Sequence, residues 1–160
     1  MHIEEKGEVL MKFKFIALSD PYYYDELMLR WEVVEKPKGV PPGFERRKEE
    51  EVSFHLVALD KKRLVGCLVC QPHSELDAEI FHFAISDEYK GKPFARQMLV
   101  ALEEFLSHKG ISHVYVLASE TDWGIYDHLG FAAEGDPFER FGIQYQKFRK
   151  TIVLVSSVSA

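Results

Sequence analysis

The sequence predicts an α/β fold of the α+β type, and three observations carry that prediction. Two apolar strand patterns, Val52 to Leu59 and Leu64 to Gln71, flank the charged turn Asp60-Lys61-Lys62-Arg63, as in an antiparallel hairpin. An apolar run, Ile80 to Ile85, passes through a short basic turn into Met98, Leu99, Leu102, Phe105 and Leu106, a stripe at helical spacing. A further strand, helix and strand pattern follows, so strands that pair locally alternate with helices that must cover them.

Element by element, Met1 to Val9 is polar and acidic, and residues 1–10 are expected to form a flexible extension. Met11 to Leu18 reads as the first strand. Asp20 can cap a helix with Pro21 at its first position. Leu27, Leu29, Trp31, Val33 and Val34 give that helix its apolar surface, and Lys36-Pro37 ends it. Lys38 to Glu51, rich in Pro, Gly and charge, is expected to be a loop without core positions. The hairpin comes next, and Glu79 to Ile85 continues the sheet. The central helix runs from about Phe94 to His108 and stops at Lys109-Gly110, a cationic end followed by a capping glycine. His113 to Leu117 is a strand. Thr121 or Asp122 caps a helix that carries Tyr126 and ends at Gly130. Phe131 to Glu134 and Tyr145 to Val153 close the sheet, and residues 154–160 form a tail. With no repeat, low-complexity run or linker, residues 11–153 read as a single domain.

Composition excludes several function classes. A chain of 160 residues with 46% apolar and 29% charged residues is an ordinary globular protein. Its formal charge of −6 argues against nucleic-acid binding, which favours a basic face, and suits a cationic acceptor such as an amine. No run approaches the ~20 apolar residues of a membrane span, and the N-terminus lacks an apolar secretory core. A cytoplasmic location without membrane contact is the default expectation. Cys67 and Cys70 sit three apart in a strand pattern and therefore on opposite faces, and no second cysteine pair exists to complete a metal site. They read as buried thiols, the seven histidines show no ligand spacing, and no metal is expected.

Asp87-Glu88-Tyr89-Lys90-Gly91-Lys92-Pro93-Phe94-Ala95-Arg96-Gln97 is the stretch richest in chemistry. The first turn of a helix presents N–H donors and the positive end of the dipole to an anion. Lys90, Lys92 and Arg96 add full positive charge at the same place, so a phosphate is the ligand this turn suits.

The turn resembles the pyrophosphate loop of the GNAT superfamily of N-acyltransferases, whose pattern is Arg or Gln, two residues, Gly, one residue, then Gly or Ala. Lys90 stands at the first position, Pro93 at the central glycine and Ala95 at the last. Glu79-Ile80-Phe81-His82-Phe83-Ala84-Ile85 is similar to the family's fourth strand, and Gly124-Ile125-Tyr126-Asp127-His128-Leu129-Gly130-Phe131 to its tyrosine-bearing helix. Leu29-Arg30-Trp31-Glu32-Val33 with Lys36-Pro37 resembles the first helix of one branch. About 30 residues separate the two site motifs, room for one helix and one strand. The resemblance, over about residues 11 to 150, implies a mixed, mostly antiparallel central sheet with helices on both faces. It also implies transfer of an acyl group from acetyl-CoA to a primary amine of a small molecule or peptide. A homodimer is the assembly considered. A binding module for acyl-CoA with weak or no catalysis is the alternative, suggested by Pro93, which lacks an N–H, and by Leu117, where many relatives carry asparagine.

Because a thioester is already activated, such a site needs only to orient the amine, accept its proton and protonate the leaving thiolate. By resemblance, Phe83, Ala84, Ile85, Lys90, Gly91, Lys92, Phe94, Ala95 and Arg96 hold the cofactor, and Tyr126 is the acid. Glu79 is the first choice for the base, matching a catalytic glutamate of histone-type members, with His82 and His55 behind it. Acceptor recognition is expected from segments read as irregular: Tyr22 to Trp31, Lys38 to Glu51 and Phe138 to Ile143, with Tyr145 standing where relatives often have histidine.

Overall fold

The structure, a computed structural model, describes residues 11–39, 41, 48–91 and 93–153. The extension 1–10, the tail 154–160, Lys92, residue 40 and residues 42–47 lie outside the described residues, together with the expectations made for them. Among the described residues, seven strands, β1 (Met11–Ile16), β2 (Phe54–Asp60), β3 (Arg63–Pro72), β4 (Asp77–Ile85), β5 (His113–Ser119), β6 (Ala132–Arg140) and β7 (Ile143–Thr151), pair in the order β1-β2-β3-β4-β5-β7-β6. β4 and β5 are parallel, while β1–β2, β5–β7 and β6–β7 are antiparallel, so the sheet is mixed and mostly antiparallel, as expected. The α-helices among the described residues are α1 (Tyr22–Arg30), α2 (Lys48–Glu51), α3 (Phe94–His108) and α4 (Trp123–His128). α3 is the crossover that a parallel β4–β5 pair requires. The chain divides into two compact units, Met1–Val69 with His82–Met98 and Cys70–Phe81 with Leu99–Ala160.

In the first unit, Asp20 Oδ1 accepts a hydrogen bond from the Tyr22 N–H at 2.8 Å, and Pro21 already has helical angles of φ −55° and ψ −28°. Asp20 therefore caps α1 with Pro21 leading it, as the sequence implies. The ending differs from expectation. Helical backbone continues through a wide π turn, Trp31–Glu35, and a 3-10 turn, Lys36–Lys38, before Gly39 turns left-handed at φ 78°. Pro37 is tolerated because it falls in the first turn of the new segment, where its missing N–H costs no bond. The loop expected over Lys38 to Glu51 contains α2, which buries Glu50.

The core of this unit packs Tyr23 and Leu29 of α1 against Ile16, Val57, Leu59, Cys67 and Ala84. The neighbouring Gly66 serves the opposite face of β3. A Cβ there would lie 3.0 Å from Met98 Sδ of α3 and 3.2 Å from Ala58 Cβ, so the absence of a side chain is what lets α3 approach. Helices thus cover both faces. Val65 to Cys70 are all buried, which explains why β3 reads as a continuous apolar run rather than an alternating one. Both thiols lie in the core as expected, and burial pushes both upward, Cys70 to about 12 with help from the charge of Glu79.

In the second unit, β5 turns Val114, Val116 and Ala118 inward, and α3 contributes Leu99, Leu102 and Leu106 to the buried set. Lys150 Nζ of β7 donates to Glu103 Oε2 of α3 at 2.8 Å. Asp122 makes no side-chain cap bond to α4, contrary to one expectation; a 3-10 turn, Glu120–Asp122, leads into the helix instead. The last hairpin is longer than its apolar pattern. Phe138 to Ile143, read as irregular, pairs in register, Phe138↔Tyr145 to Arg140↔Ile143, around a tip at Phe141 and Gly142. Glu134-Gly135-Asp136-Pro137 interrupts the alternation, and the register shifts between Glu134 and Phe138.

Candidate active site

The turn after β4 is built from short local bonds. The Ser86 N–H donates to the Val65 carbonyl at 2.8 Å, Tyr89 N–H to Ser86 O at 2.8 Å and Lys90 N–H to Asp87 O at 3.2 Å, forming a single 3-10 turn. Lys90 is then extended, and Gly91 adopts φ +81°, a left-handed angle that a side chain would strain. Gln97 N–H donates to the Pro93 carbonyl at 3.0 Å, the first helical bond of α3. The amides of Phe94 and Ala95 therefore occupy the first turn, where no i−4 carbonyl exists within the helix. Phe94 is buried and its ring meets Tyr89 at 5.7 Å, while the Tyr89 hydroxyl donates to Asp60 Oδ2. The Lys90 ammonium is exposed and lies 2.8 Å from Asp87 Oδ1. An exposed pair of this kind contributes on the order of 0–1 kcal/mol, so a phosphate can compete for the lysine. Of the other predicted cofactor residues, Ala84 is buried, Phe83 and Ile85 are half-buried, Arg96 is exposed, and Lys92 falls outside the described residues.

In the second unit, Tyr126 sits on α4, with its ring edge-on to Phe131 at 5.4 Å and tilted against Phe148 at 6.3 Å. It is 7% exposed. Burial, followed by the charge of Asp122, pushes its phenol well above the ordinary range, so it stays protonated at neutral pH. The Phe131 N–H donates back to the Tyr126 carbonyl at 3.0 Å, fixing the exit from the helix. Leu117 is half-buried on β5, opposite Lys147 of β7.

Glu79 lies on β4 in register with Tyr115 of β5. Its Oε1 accepts from Tyr115 Oη at 3.2 Å and from His73 Nε2 at 2.8 Å. Burial and the Glu79 charge push the Tyr115 phenol up to about 12. Sequence reasoning named Glu79 but missed both donors. The amides of His73 and Ser74 both donate to the Asp77 carbonyl, a turn that brings the His73 ring back to Glu79 and that no local sequence pattern marks. His82 is half-buried on the neighbouring strand position, so it takes the face opposite Glu79, Phe81 and Phe83.

His55, the third candidate base, is corrected by the structure. It is 2% exposed and both ring nitrogens are engaged, Nδ1 with Glu26 Oε2 at 3.0 Å and Nε2 with the Glu50 carbonyl at 2.8 Å. A carbonyl only accepts, so Nε2 carries a proton, and the Glu26 carboxylate asks the same of Nδ1. Hydrogen bonds to Glu26 and the charges of Glu26 and Glu50 outweigh burial and raise the imidazole above its ordinary value. Arg30 completes the group, with Nη1 reaching Glu26 Oε2 at 3.0 Å and Glu50 Oε1 at 2.9 Å, and Nη2 reaching Glu50 Oε2 at 3.1 Å. Tyr23 Oη donates to Glu50 Oε1 at 2.8 Å. Donor atoms of Glu26, Glu50 and His55 lie within 4.8 Å of one another, a set of types that suits a cation. Here the Arg30 guanidinium already occupies that electrostatic role, so the cluster is an internal ion network.

Residues 31–152 match a family profile described as the acetyltransferase (GNAT) domain. Among solved structures, the chain is similar to a provisionally assigned N-acetyltransferase from Lactobacillus plantarum, with TM-score 0.78 and 19% identity, over 89% of this chain and 99% of the other. It is also similar to an aminoglycoside 6'-N-acetyltransferase complexed with coenzyme A, with TM-score 0.74 and 14% identity, over 91% and 99%. A GNAT family acetyltransferase from Elizabethkingia anophelis with acetyl-CoA bound gives TM-score 0.67 and 13% identity, over 88% and 97%. At these identities the likeness is one of fold. No helix among the described residues is long and apolar enough to cross a membrane.

Proposed function

The chain belongs to the GNAT acetyltransferase family, and from that membership we propose that it transfers an acetyl group from acetyl-CoA to a primary amine of a small molecule or peptide, residues 11–153 acting as one domain. The observation that carries the reading is the start of α3. Extended Lys90, left-handed Gly91 and the carbonyl of Pro93 lead into first-turn amides, an arrangement that suits the pyrophosphate of the cosubstrate. In this reading Phe83, Ala84 and Ile85 line the pantetheine arm, while Lys90, Gly91, Lys92, Phe94, Ala95 and Arg96 hold the phosphates.

The chemistry is direct attack. The amine lone pair forms the N–C bond to the thioester carbon, the C–S bond breaks, and its electron pair leaves on sulfur. Glu79 accepts a proton from the nitrogen, and the Tyr126 hydroxyl donates one to the thiolate. The raised phenol supports that role, because a group that stays protonated in the resting protein has its proton ready when negative charge develops beside it.

Tyr126→Phe tests this reading. The ring packing against Phe131 and Phe148 is kept and only the hydroxyl is lost. Calorimetric affinity for acetyl-CoA is expected to change little, since the hydroxyl acts once charge develops on sulfur. Turnover of a responsive amine is expected to fall by ~10²-fold or more, typical of losing a positioned acid. Equal turnover in the two proteins refutes the acid. Acetyl-CoA binding without turnover across a broad amine panel replaces the enzyme with the binding module.

A further inference from the structure

We propose that His73 and Tyr115 are positioning residues that hold Glu79 as an ionised, oriented proton acceptor; the inference rests on the acyl transfer proposed above. Both donors converge on one oxygen, Oε1, at 2.8 Å from His73 Nε2 and 3.2 Å from Tyr115 Oη. An ionised carboxylate can only accept, so both groups donate hydrogen bonds to it. Two hydrogen bonds to the charged form favour that form, and two donors on one oxygen fix the plane of the carboxylate, leaving Oε2 for the incoming proton.

Each donor is itself held in place. The His73 N–H is bonded to the Asp77 carbonyl at 2.9 Å, and the imidazole lies between Phe81, edge-on at 5.9 Å, and Tyr115, stacked at 6.1 Å and 27°. Tyr115 faces Glu79 through the parallel register of β5 with β4, and Lys147 Nζ of β7 sits 4.4 Å over its ring. The carboxylate is mostly shielded at 13% exposed, whereas the imidazole reaches water at 38%. Other charged and titratable groups surround the trio. Cys70 of β3 feels the Glu79 charge, and Asp77 of β4 acts on Tyr115 while pairing with Arg149 at 3.2 Å and with His113 at 3.7 Å. Lys147 pairs with Glu134 of β6 at 3.1 Å. Arg149, the register partner of Tyr115 on β7, is thus paired with Asp77 and Lys147 with Glu134, while His73 and Tyr115 make the hydrogen bonds to Glu79.

In the reaction, Oε2 takes the proton released by the amine nitrogen as the N–C bond forms, and later yields it to water. His73 and Tyr115 keep their protons throughout. The competing role is a fold staple that ties the β3–β4 turn to β5 without affecting proton transfer.

pH–rate profiles of kcat/KM separate the two roles. His73→Phe keeps an aromatic ring between Phe81 and Tyr115 but loses the donor, and Tyr115→Phe loses only its hydroxyl. Both are expected to move the low-pH limb toward higher pH and to lower the neutral-pH rate by about tenfold, the scale of one hydrogen bond to a charged group. His73→Gln, whose amide can donate, is expected to recover most of the loss, and acetyl-CoA affinity stays unchanged in all three. A 13C NMR titration of the Glu79 carboxyl gives the same decision without turnover: its midpoint rises in His73→Phe and Tyr115→Phe. A limb and a midpoint that stay put, even with a lowered Tm, overturn the proposal and leave the staple. Glu79→Gln tests the underlying reading separately. If it retains wild-type rate and profile, the base assignment fails whatever His73 does.

Discussion

Arg30→Met turns the buried ion network into a measurable quantity. The substitution keeps an unbranched apolar side chain of similar reach and removes three hydrogen bonds, one to Glu26 and two to Glu50. With His55 doubly protonated, the network holds two negative and two positive charges; without Arg30 it holds one buried negative charge in excess. The cost can be approached from two sides. Burial would raise the Glu50 carboxyl, but its bonds to Arg30 and the Arg30 charge, helped by Tyr23 and His55, lower it from 4.5 to about 2, which corresponds to roughly 3.5 kcal/mol at about 1.4 per pH unit. Removing one partner of a buried pair independently costs about 3–5 kcal/mol. Arg30 is 8% exposed, so water screens little of this. Against a typical ~5–15 kcal/mol of total stability and an m-value near ~2 kcal/mol per molar urea, the unfolding midpoint is expected to fall by about 1–3 M at pH 7.

The pH dependence gives a second check, with its sign fixed by the direction of each shift. Glu50, depressed in the fold, contributes stability above its ordinary 4.5 that is lost as pH falls toward 2. His55, raised in the fold, contributes fully below its ordinary 6.5 and loses that contribution as pH rises through its folded value. In Arg30→Met only the Tyr23 hydroxyl and the His55 charge still hold Glu50 low, and protonation relieves a buried charge, so the deficit relative to wild type is expected to shrink between pH 7 and pH 5. Adding Glu50→Gln to Arg30→Met removes the stranded charge and restores part of the midpoint. A midpoint loss of less than ~0.5 M, the scale of a surface pair, or a deficit that does not shrink on acidification, refutes the reasoning.

Two further outcomes can be checked directly. Gly66→Val places atoms where even a Cβ lies 3.0 Å from Met98 Sδ and 3.2 Å from Ala58 Cβ, so overpacking is expected to cost on the order of 1–3 kcal/mol and lower the Tm by roughly 2–10 °C, with Met98→Ala in the same protein recovering part of the loss. Lys90→Glu with Lys92→Glu is expected to weaken acetyl-CoA by roughly 10–100-fold in calorimetry, since charge-assisted contacts to phosphate contribute about 1.5–3 kcal/mol each; an unchanged affinity removes the phosphate assignment.

What the sequence made legible is what short-range chemistry decides. The strand Ile80 to Ile85, the turn at Gly91, α3 from Phe94 to His108 and the β2–β3 hairpin each follow from spacing, turn residues and caps that lie within a few positions of one another. The ion network escaped for the opposite reason. Glu26 and Arg30 are four apart on α1, a spacing common to solvated ion pairs, and Glu50 is hidden in the charged run Arg46-Arg47-Lys48-Glu49-Glu50-Glu51. Only the approach of α1, α2 and β2 reveals that these charges are buried. The donors to Glu79 were illegible likewise: Tyr115 meets it because β5 returns parallel to β4 after a whole helix, a register that no local pattern encodes.

Pro93 shows how the two kinds of information combine. From sequence, a proline at the family's glycine position subtracts one phosphate donor. In the structure the residue stands just before Phe94, and its carbonyl accepts the first helical bond from Gln97 at 3.0 Å. Its own nitrogen therefore belongs to the approach to the helix rather than to the first turn. The substitution removes one donor from the loop, but the first-turn amides of Phe94 and Ala95 still present the positive end of the α3 dipole. Its fixed φ also stiffens the chain between left-handed Gly91 and the helix, which lowers the entropy lost on ordering that loop around a phosphate. On the acetyl-CoA reading proposed above, the departure from the family pattern thus removes one phosphate contact while preorganising the rest of the loop.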